Sequence, residues 1–130
     1  MTNPSLSRVL VLDAISGAAI FVLGVFATTT VARLTGLPAS ILAIGGWICL
    51  AAAATFAILS VKPMRWLLAI AVAGNAGWVL ASIGVWIALF SELTPLGHAF
   101  VLAQAAIVAW FTLQEARGLS ATAAARPAIV

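Results

Sequence analysis

Followed along its apolar and polar positions, the chain falls into four long stretches almost without charge: Val9 to Ala32, Pro38 to Val61, Trp66 to Ser91 and Leu93 to Gln114. Asp13 is the one charged residue inside them. Each stretch holds more than 20 residues, and at ~1.5 Å rise per residue each covers the ~30 Å hydrocarbon layer of a bilayer. The pattern predicts an all-α membrane protein with four transmembrane helices, at about 5–32, 38–61, 63–90 and 95–117, forming one domain over residues 1–118.

The segments between the stretches carry the turn formers. Arg33-Leu34-Thr35-Gly36-Leu37, Lys62-Pro63-Met64-Arg65 and Ser91-Glu92-Leu93-Thr94 concentrate charge and helix breakers. Pro38, Pro63 and Pro95 suit a first helical turn, where a missing N–H costs nothing. Thr94 suits the cap of the fourth helix, and Gly118 its end. Connections this short predict an up-down-up-down bundle of adjacent antiparallel helices with no room for a domain outside the membrane. The first stretch is too long for a signal peptide and no cleavage site follows it, so it reads as a mature helix. Residues 119–130, LSATAAARPAIV, read as a loose tail.

Composition agrees: 65% hydrophobic and 7% charged residues cannot be arranged as a core with a polar shell in 130 residues. Arg8, Lys62, Arg65, Arg117 and Arg126 flank one side of the membrane and Arg33 alone the other, which predicts a multi-pass protein of the bacterial inner membrane with both termini cytoplasmic. The net charge of +3 is spread along the membrane flanks. It fits anchoring at anionic lipid, not nucleic-acid binding. Cys49, alone of its kind, reads as a packing residue.

A helical hairpin is a candidate for parallel duplication. Leu34-Thr35-Gly36-Leu37-Pro38 resembles Leu93-Thr94-Pro95-Leu96-Gly97 with three identities in five positions, and a three-residue gap brings Asp13 opposite Asn75. Such a repeat would relate the two hairpins by an axis along the membrane normal. Small residues at helical spacing, Ala73, Gly77, Ala81, Gly84 and Ala88 on the third helix, Gly17 and Gly24 on the first, Gly45-Gly46 on the second and Ala99 with Ala103 on the fourth, predict close helix packing within the bundle.

Five Trp and no Tyr make up the amphipathic aromatics. Trp66 and Trp86 lie near opposite membrane faces and read as anchors whose indole N–H reaches headgroups. Trp47, Trp78 and Trp110 lie deeper; they read as packing residues or as the lining for a flat hydrophobic ligand such as a quinone or isoprenoid.

The polar residues within the spans are the candidates for chemistry: Asp13, Asn75, Gln104 and Glu115. Asn75 follows Arg65 by ten residues and Gln104 follows Glu92 by twelve. That is about 15 and 18 Å of helix, so the two amides are expected near the midplane and bonded to each other. Asp13 follows Arg8 by five residues, about 7 Å. That shallow place predicts an ion pair with Arg117 or another cation of the cytoplasmic side. Glu115 and Glu92 read as solvated or interfacial charges, and His98 as an interfacial polar residue without a second ligand for haem or metal. No phosphate loop, carboxylate pair or nucleophile with its base is present at sequence spacing, so neither an enzyme nor a cofactor is expected.

Leu12-Asp13 with Ser16-Gly17, Gly74-Asn75-Ala76 with Trp78, Leu102-Ala103-Gln104 and Gln114-Glu115 together resemble the small four-helix inner-membrane proteins of bacteria, loosely in the manner of DoxX-like proteins. That resemblance implies fold and location and transfers no catalytic residue. A carboxylate in the first of four short spans also resembles small multidrug-resistance exporters. The Lys and Arg imbalance and the Asp in place of that family's Glu depart from their pattern. The expectation is a membrane scaffold or accessory protein, with membrane lipids, a homo-oligomer or a larger inner-membrane complex as partners. It would bind a lipid-like or flat hydrophobic ligand or a partner subunit. The alternative is a small proton-coupled transporter of hydrophobic or cationic solutes that uses Asp13.

Overall fold

A computed structural model describes residues 4–124, and side chains over 5–121. Five α-helices carry the described chain: α1 Pro4–Phe21, α2 Thr28–Thr35, α3 Ala39–Val61, α4 Arg65–Ala88 and α5 Pro95–Ala124, with one wide π turn at Val22–Phe26 between α1 and α2. Four segments are long and apolar enough to cross a membrane: Ser5–Phe26, Ala39–Val61, Arg65–Ala88 and Pro95–Ala121. The protein is an all-α, four-span membrane bundle.

The first span is not the single helix expected over 5–32. Its backbone widens into the π turn and breaks at Ala27 (φ −117°, ψ 25°). Thr28 supplies the local cause, because its hydroxyl donates to the carbonyls of Gly24 (2.6 Å) and Val25 (3.1 Å) and competes for the acceptors of a regular ladder. The same turn seats Gly24 on α3, where a Cβ would run into the Leu42 carbonyl oxygen. Two helix backbones touch there, the arrangement by which spans associate in lipid. Past the break, α2 carries Arg33-Leu34-Thr35, expected in a loop, as a last helical turn. It ends where Gly36 takes a left-handed conformation (φ 80°).

At the other end of the chain, α5 does not stop at Gly118 but runs on to Ala124, so part of the expected tail is helical; residues 125–130 lie outside the described residues. Gly118 serves contact instead of termination, since a Cβ there would come within 2.8 Å of Leu6 Cδ1. The helix thereby continues past α1 without being pushed away.

In the plan of the bundle, α1 with α2 pairs closely with α3, and α4 pairs closely with α5. The two hairpins meet mainly through α1 and α2 against α5, while α3 and α4 touch only sparsely. At the end that carries Lys62, Leu6, Leu10, Phe56, Leu59, Leu68 and Ala71 form a closed apolar core. At the opposite end the connections clamp the hairpins: Thr94 N–H donates to the Thr35 carbonyl (3.0 Å) and the Thr94 hydroxyl to the Leu34 carbonyl (2.6 Å). Thr94 Oγ1 also accepts from Gly97 N–H (3.0 Å), capping α5 as expected. Gly97 has no Cβ because one would collide with the Thr35 carbonyl oxygen.

Residues matched by the sequence repeat meet in space, Thr35 with Thr94 and Asp13 with Asn75. A two-fold relation between hairpins requires such meetings near its axis. The small residues of α4 behave otherwise. Ala73, Gly77, Ala81, Gly84 and Ala88 are all exposed, and the space where a Cβ would stand at Gly77 and Gly84 is open to 4 Å. Close packing falls to Gly17, Gly24 and Gly46 of the first hairpin, where three backbone surfaces approach. Ala99 and Ala103 of α5 also face outward.

Candidate functional site

Three helices bring one polar side chain each to a common level. Asp13 of α1 (5% exposed), Asn75 of α4 (7%) and Glu115 of α5 (0%) are buried against one another. The Asn75 amide nitrogen donates to Asp13 Oδ2 at 2.7 Å and to Glu115 Oε2 at 3.2 Å, one hydrogen toward each acid. The shared amide holds the two carboxyl groups beside each other. Glu115 Oε1 is fully buried and has no donor among the N–H and O–H groups of the described residues.

This arrangement overturns three expectations. Asp13 has no ion pair with Arg117: both Arg8 and Arg117 are exposed, and among the described residues neither acid is joined to a Lys or Arg. The long guanidinium side chains near the helix ends turn outward, while contact with Asn75 sets Asp13 about 15 Å along α4. Asn75 does not bond Gln104, because its two hydrogens are taken by the acids. Glu115 is not interfacial, since the continuation of α5 past Gly118 leaves it one of the most completely buried side chains.

Gln104 organises a second polar layer, further toward the Thr35 end. Its Oε1 accepts from Trp78 Nε1 (2.7 Å), and its Nε2 donates to Ser82 Oγ (2.9 Å) and to the Val101 carbonyl (3.0 Å). Ser82 donates back to the Trp78 carbonyl (2.8 Å) within its own helix. The Trp78 ring lies across α3 at Gly45, where a Cβ would come within 3.3 Å of the indole.

This layer separates two cavities. An inner one of about 70 Å³ is lined by Asp13, Ser16, Cys49, Asn75, Trp78 and Gln104. An outer cleft of about 300 Å³ has apolar walls that include Leu23, Ile41, Ile44, Gly45, Val85 and Phe100. Ile20, Ile48, Trp78 and Gln104 border both, so they form a shared wall between the outer cleft and the cavity that Asp13 lines. Asp13 faces the inner cavity; Glu115 stands behind it and lines neither.

Of the three deep tryptophans, Trp78 alone borders the cavities. Trp47 (55% exposed) and Trp110 (49%) point out of the bundle, each edge-on to a neighbouring phenylalanine, so the three do not form one lining. Trp66 is exposed at the Lys62 end. Trp86 uses its indole N–H internally, donating to His98 Nδ1 at 2.9 Å, with Phe90 stacked edge-on against the imidazole. Among the described residues no three of His, Cys, Asp and Glu gather as a ligand set for metal.

The repeat aligns Asp13 with Asn75 as equivalent positions, but as contacts the sequence pointed Asp13 to Arg117 and Asn75 to Gln104, and Glu115 to neither. The one signal lay in position, an acid two residues inside the expected end of its helix. Compared with models of protein families, with curated protein sequences and with solved structures, the chain matches none.

Proposed function

We propose that this is a non-catalytic accessory or scaffold protein of the bacterial inner membrane that binds a lipid-like apolar molecule in the outer cleft. The observation that carries this reading is the cleft itself. It is walled by aliphatic side chains and Phe100, has one polar patch at its floor, and lies where α3 and α4 diverge toward the bilayer. A volume of about 300 Å³ is at the small end for ligand pockets, which run ~300–1,000 Å³. It suits an acyl or isoprenoid segment or one flat ring system better than a whole lipid. The hydroxyl of Ser82 and the amide of Gln104 at the floor keep lone pairs for a polar head after their internal bonds are made. The resemblance to DoxX-like four-helix proteins is part of the same proposal, as is the orientation with both termini cytoplasmic, which rests on the excess of Lys and Arg around the Lys62 end.

Purification in a mild detergent, followed by mass spectrometry of the intact protein and of its extracted lipids, tests the reading. A defined apolar molecule is expected at a fixed ratio to the wild type and is lost from Ala81→Trp, which places an indole in the cleft from an exposed position of α4. Wild type that carries nothing, or equal retention by Ala81→Trp, overturns it. Reporter fusions after Val130 and in the Arg33 segment test the orientation, with a cytoplasmic signal expected from the first and a periplasmic one from the second.

A further inference from the structure

We propose that Asp13, Asn75 and Glu115 form a one-proton site: the two carboxyl groups share a single proton, Asn75 holds them in place, and Asp13 exchanges that proton through the inner cavity. This stands apart from what occupies the outer cleft.

Charge and hydrogen-bond bookkeeping lead there together. Two carboxylates side by side within the spans, with no cation among the described residues joined to either, combine mutual repulsion with loss of hydration. Asn75 offers two hydrogens, one to each acid, and has none left for the fully buried Glu115 Oε1. Held on one amide, the two carboxyl groups can bond each other only when one of them carries a proton. A single proton held between the acids therefore completes the donor set and leaves one negative charge, which the Asn75 amide stabilises.

The neighbours leave no other group to take the role. From α1 the cluster is faced by Asp13 itself and from α5 by Glu115; from α4 it is faced by the non-titrating Asn75, and Cys49 of α3 lines the same inner cavity. Arg8, Arg65 and Arg117 are exposed, and His98 is held by Trp86 beyond the second polar layer. Access is one-sided, because Asp13 lines the cavity and Glu115 does not. Trp78 and Gln104 border both cavities, so a proton that left Asp13 past them would enter the cleft. Asn75 turns its amide nitrogen, the donor end, to both acids.

Two measurements on the full chain in detergent test the site. Infrared spectra at neutral pH are expected to contain the carbonyl band of a protonated carboxylic acid in the wild type and to lack it in the double variant Asp13→Asn, Glu115→Gln. Dicyclohexylcarbodiimide provides the second, because it adds across a protonated carboxyl: the acid oxygen bonds to the carbodiimide carbon and the acid proton passes to its nitrogen. Peptide mapping of the wild type is expected to find the adduct on Asp13 and not on Glu115, so the proposal remains testable if the double variant does not fold. The site is wrong if the wild type has no acid carbonyl band, if the band survives in the double variant, or if the label is absent or falls on Glu115. Removal of the band or protection from the label by sodium chloride, with no such effect from choline chloride, would replace the proton by a metal ion and overturn the proposal equally.

Discussion

The two halves of the bundle solve the same problem in opposite ways. Toward Lys62 the four spans close on apolar side chains, Leu10, Phe56 and Leu59 being almost wholly buried, and the polar trio of Asp13, Asn75 and Glu115 stands at the inner limit of that core. Toward Thr35 and Thr94 the hairpins separate around a cleft and are held by two connections hydrogen-bonded backbone to backbone and hydroxyl to backbone. Lipid is as apolar as leucine, so burying leucine does little to join one span to another. Association has to come from close packing and from polar groups that have nowhere else to bond. Between the two hairpins, the closed half uses the side-chain hydrogen bonds of Asp13, Asn75 and Glu115 for this, and the open half uses its loops. An open half with a cleft is therefore compatible with a stable bundle.

The comparison breaks most severely at the loops. Gly97→Val forces branched carbon into the Thr35 carbonyl, where neither backbone can yield without parting the hairpins. A loss of about 3 kcal/mol of stability in mixed micelles is expected, along with loss of the cleft's ligand. Asn75→Leu comes next. It removes the amide that bridges both acids and leaves their oxygens facing a hydrocarbon side chain; denaturation should register a loss of about 2 kcal/mol, at the scale of hydrogen bonds made to acidic groups. If Gly97→Val were harmless while Asn75→Leu unfolded the protein, the loops would not be what holds the open half.

Trp78→Phe sharpens the boundary between the halves and should disturb stability less. It removes one hydrogen bond to Gln104, about 1 kcal/mol, while thinning the layer between cleft and inner cavity. Carbodiimide labelling of Asp13 is expected to quicken in this variant. Unchanged labelling would mean that Asp13 is reached by some route other than the cleft.

Much of this was legible before any coordinates. Uniform apolarity over four lengths of more than 20 residues fixes span count and class, because a bilayer admits few alternatives. The repeat aligned Asp13 with Asn75 only as equivalent positions; that the two are bonded was not among the expected contacts. What the sequence concealed depends on rotation and on helix ends. In an evenly apolar span the period that distinguishes inner from outer face is absent, so the small strip of α4 looked like a packing seam and is exposed, and Trp47 and Trp110 looked interior and point outward. Glu115 was misplaced for a different reason. Gly118 reads as a stop signal by composition, whereas Leu6 needs it as a contact surface, and a helix that continues turns an apparent end into an interior. The π turn had a visible trigger in Thr28-Thr29-Thr30, but only the meeting of Gly24 with Leu42 shows why the backbone widens there.

The smallest expected effect belongs to Trp47, and it separates the cleft from the outer surface. Its indole lies edge-on to Phe21, ring centroids 5.1 Å apart, and lines neither cavity. Such an aromatic pair adds ~0.5–1.5 kcal/mol beyond its area, and with the ring half exposed the lower end applies. Trp47→Leu keeps an apolar surface toward lipid and gives up only that pairing. Stability should fall by about 0.5 kcal/mol, while the bound molecule and the labelling of Asp13 stay as in the wild type. The contrast with Trp78→Phe is the informative part, since both variants remove an indole from a neighbouring helix and only one of those indoles borders the path to Asp13. Should Trp47→Leu empty the cleft as Ala81→Trp is expected to, the binding surface would have to lie on the outside of the first hairpin rather than between the two.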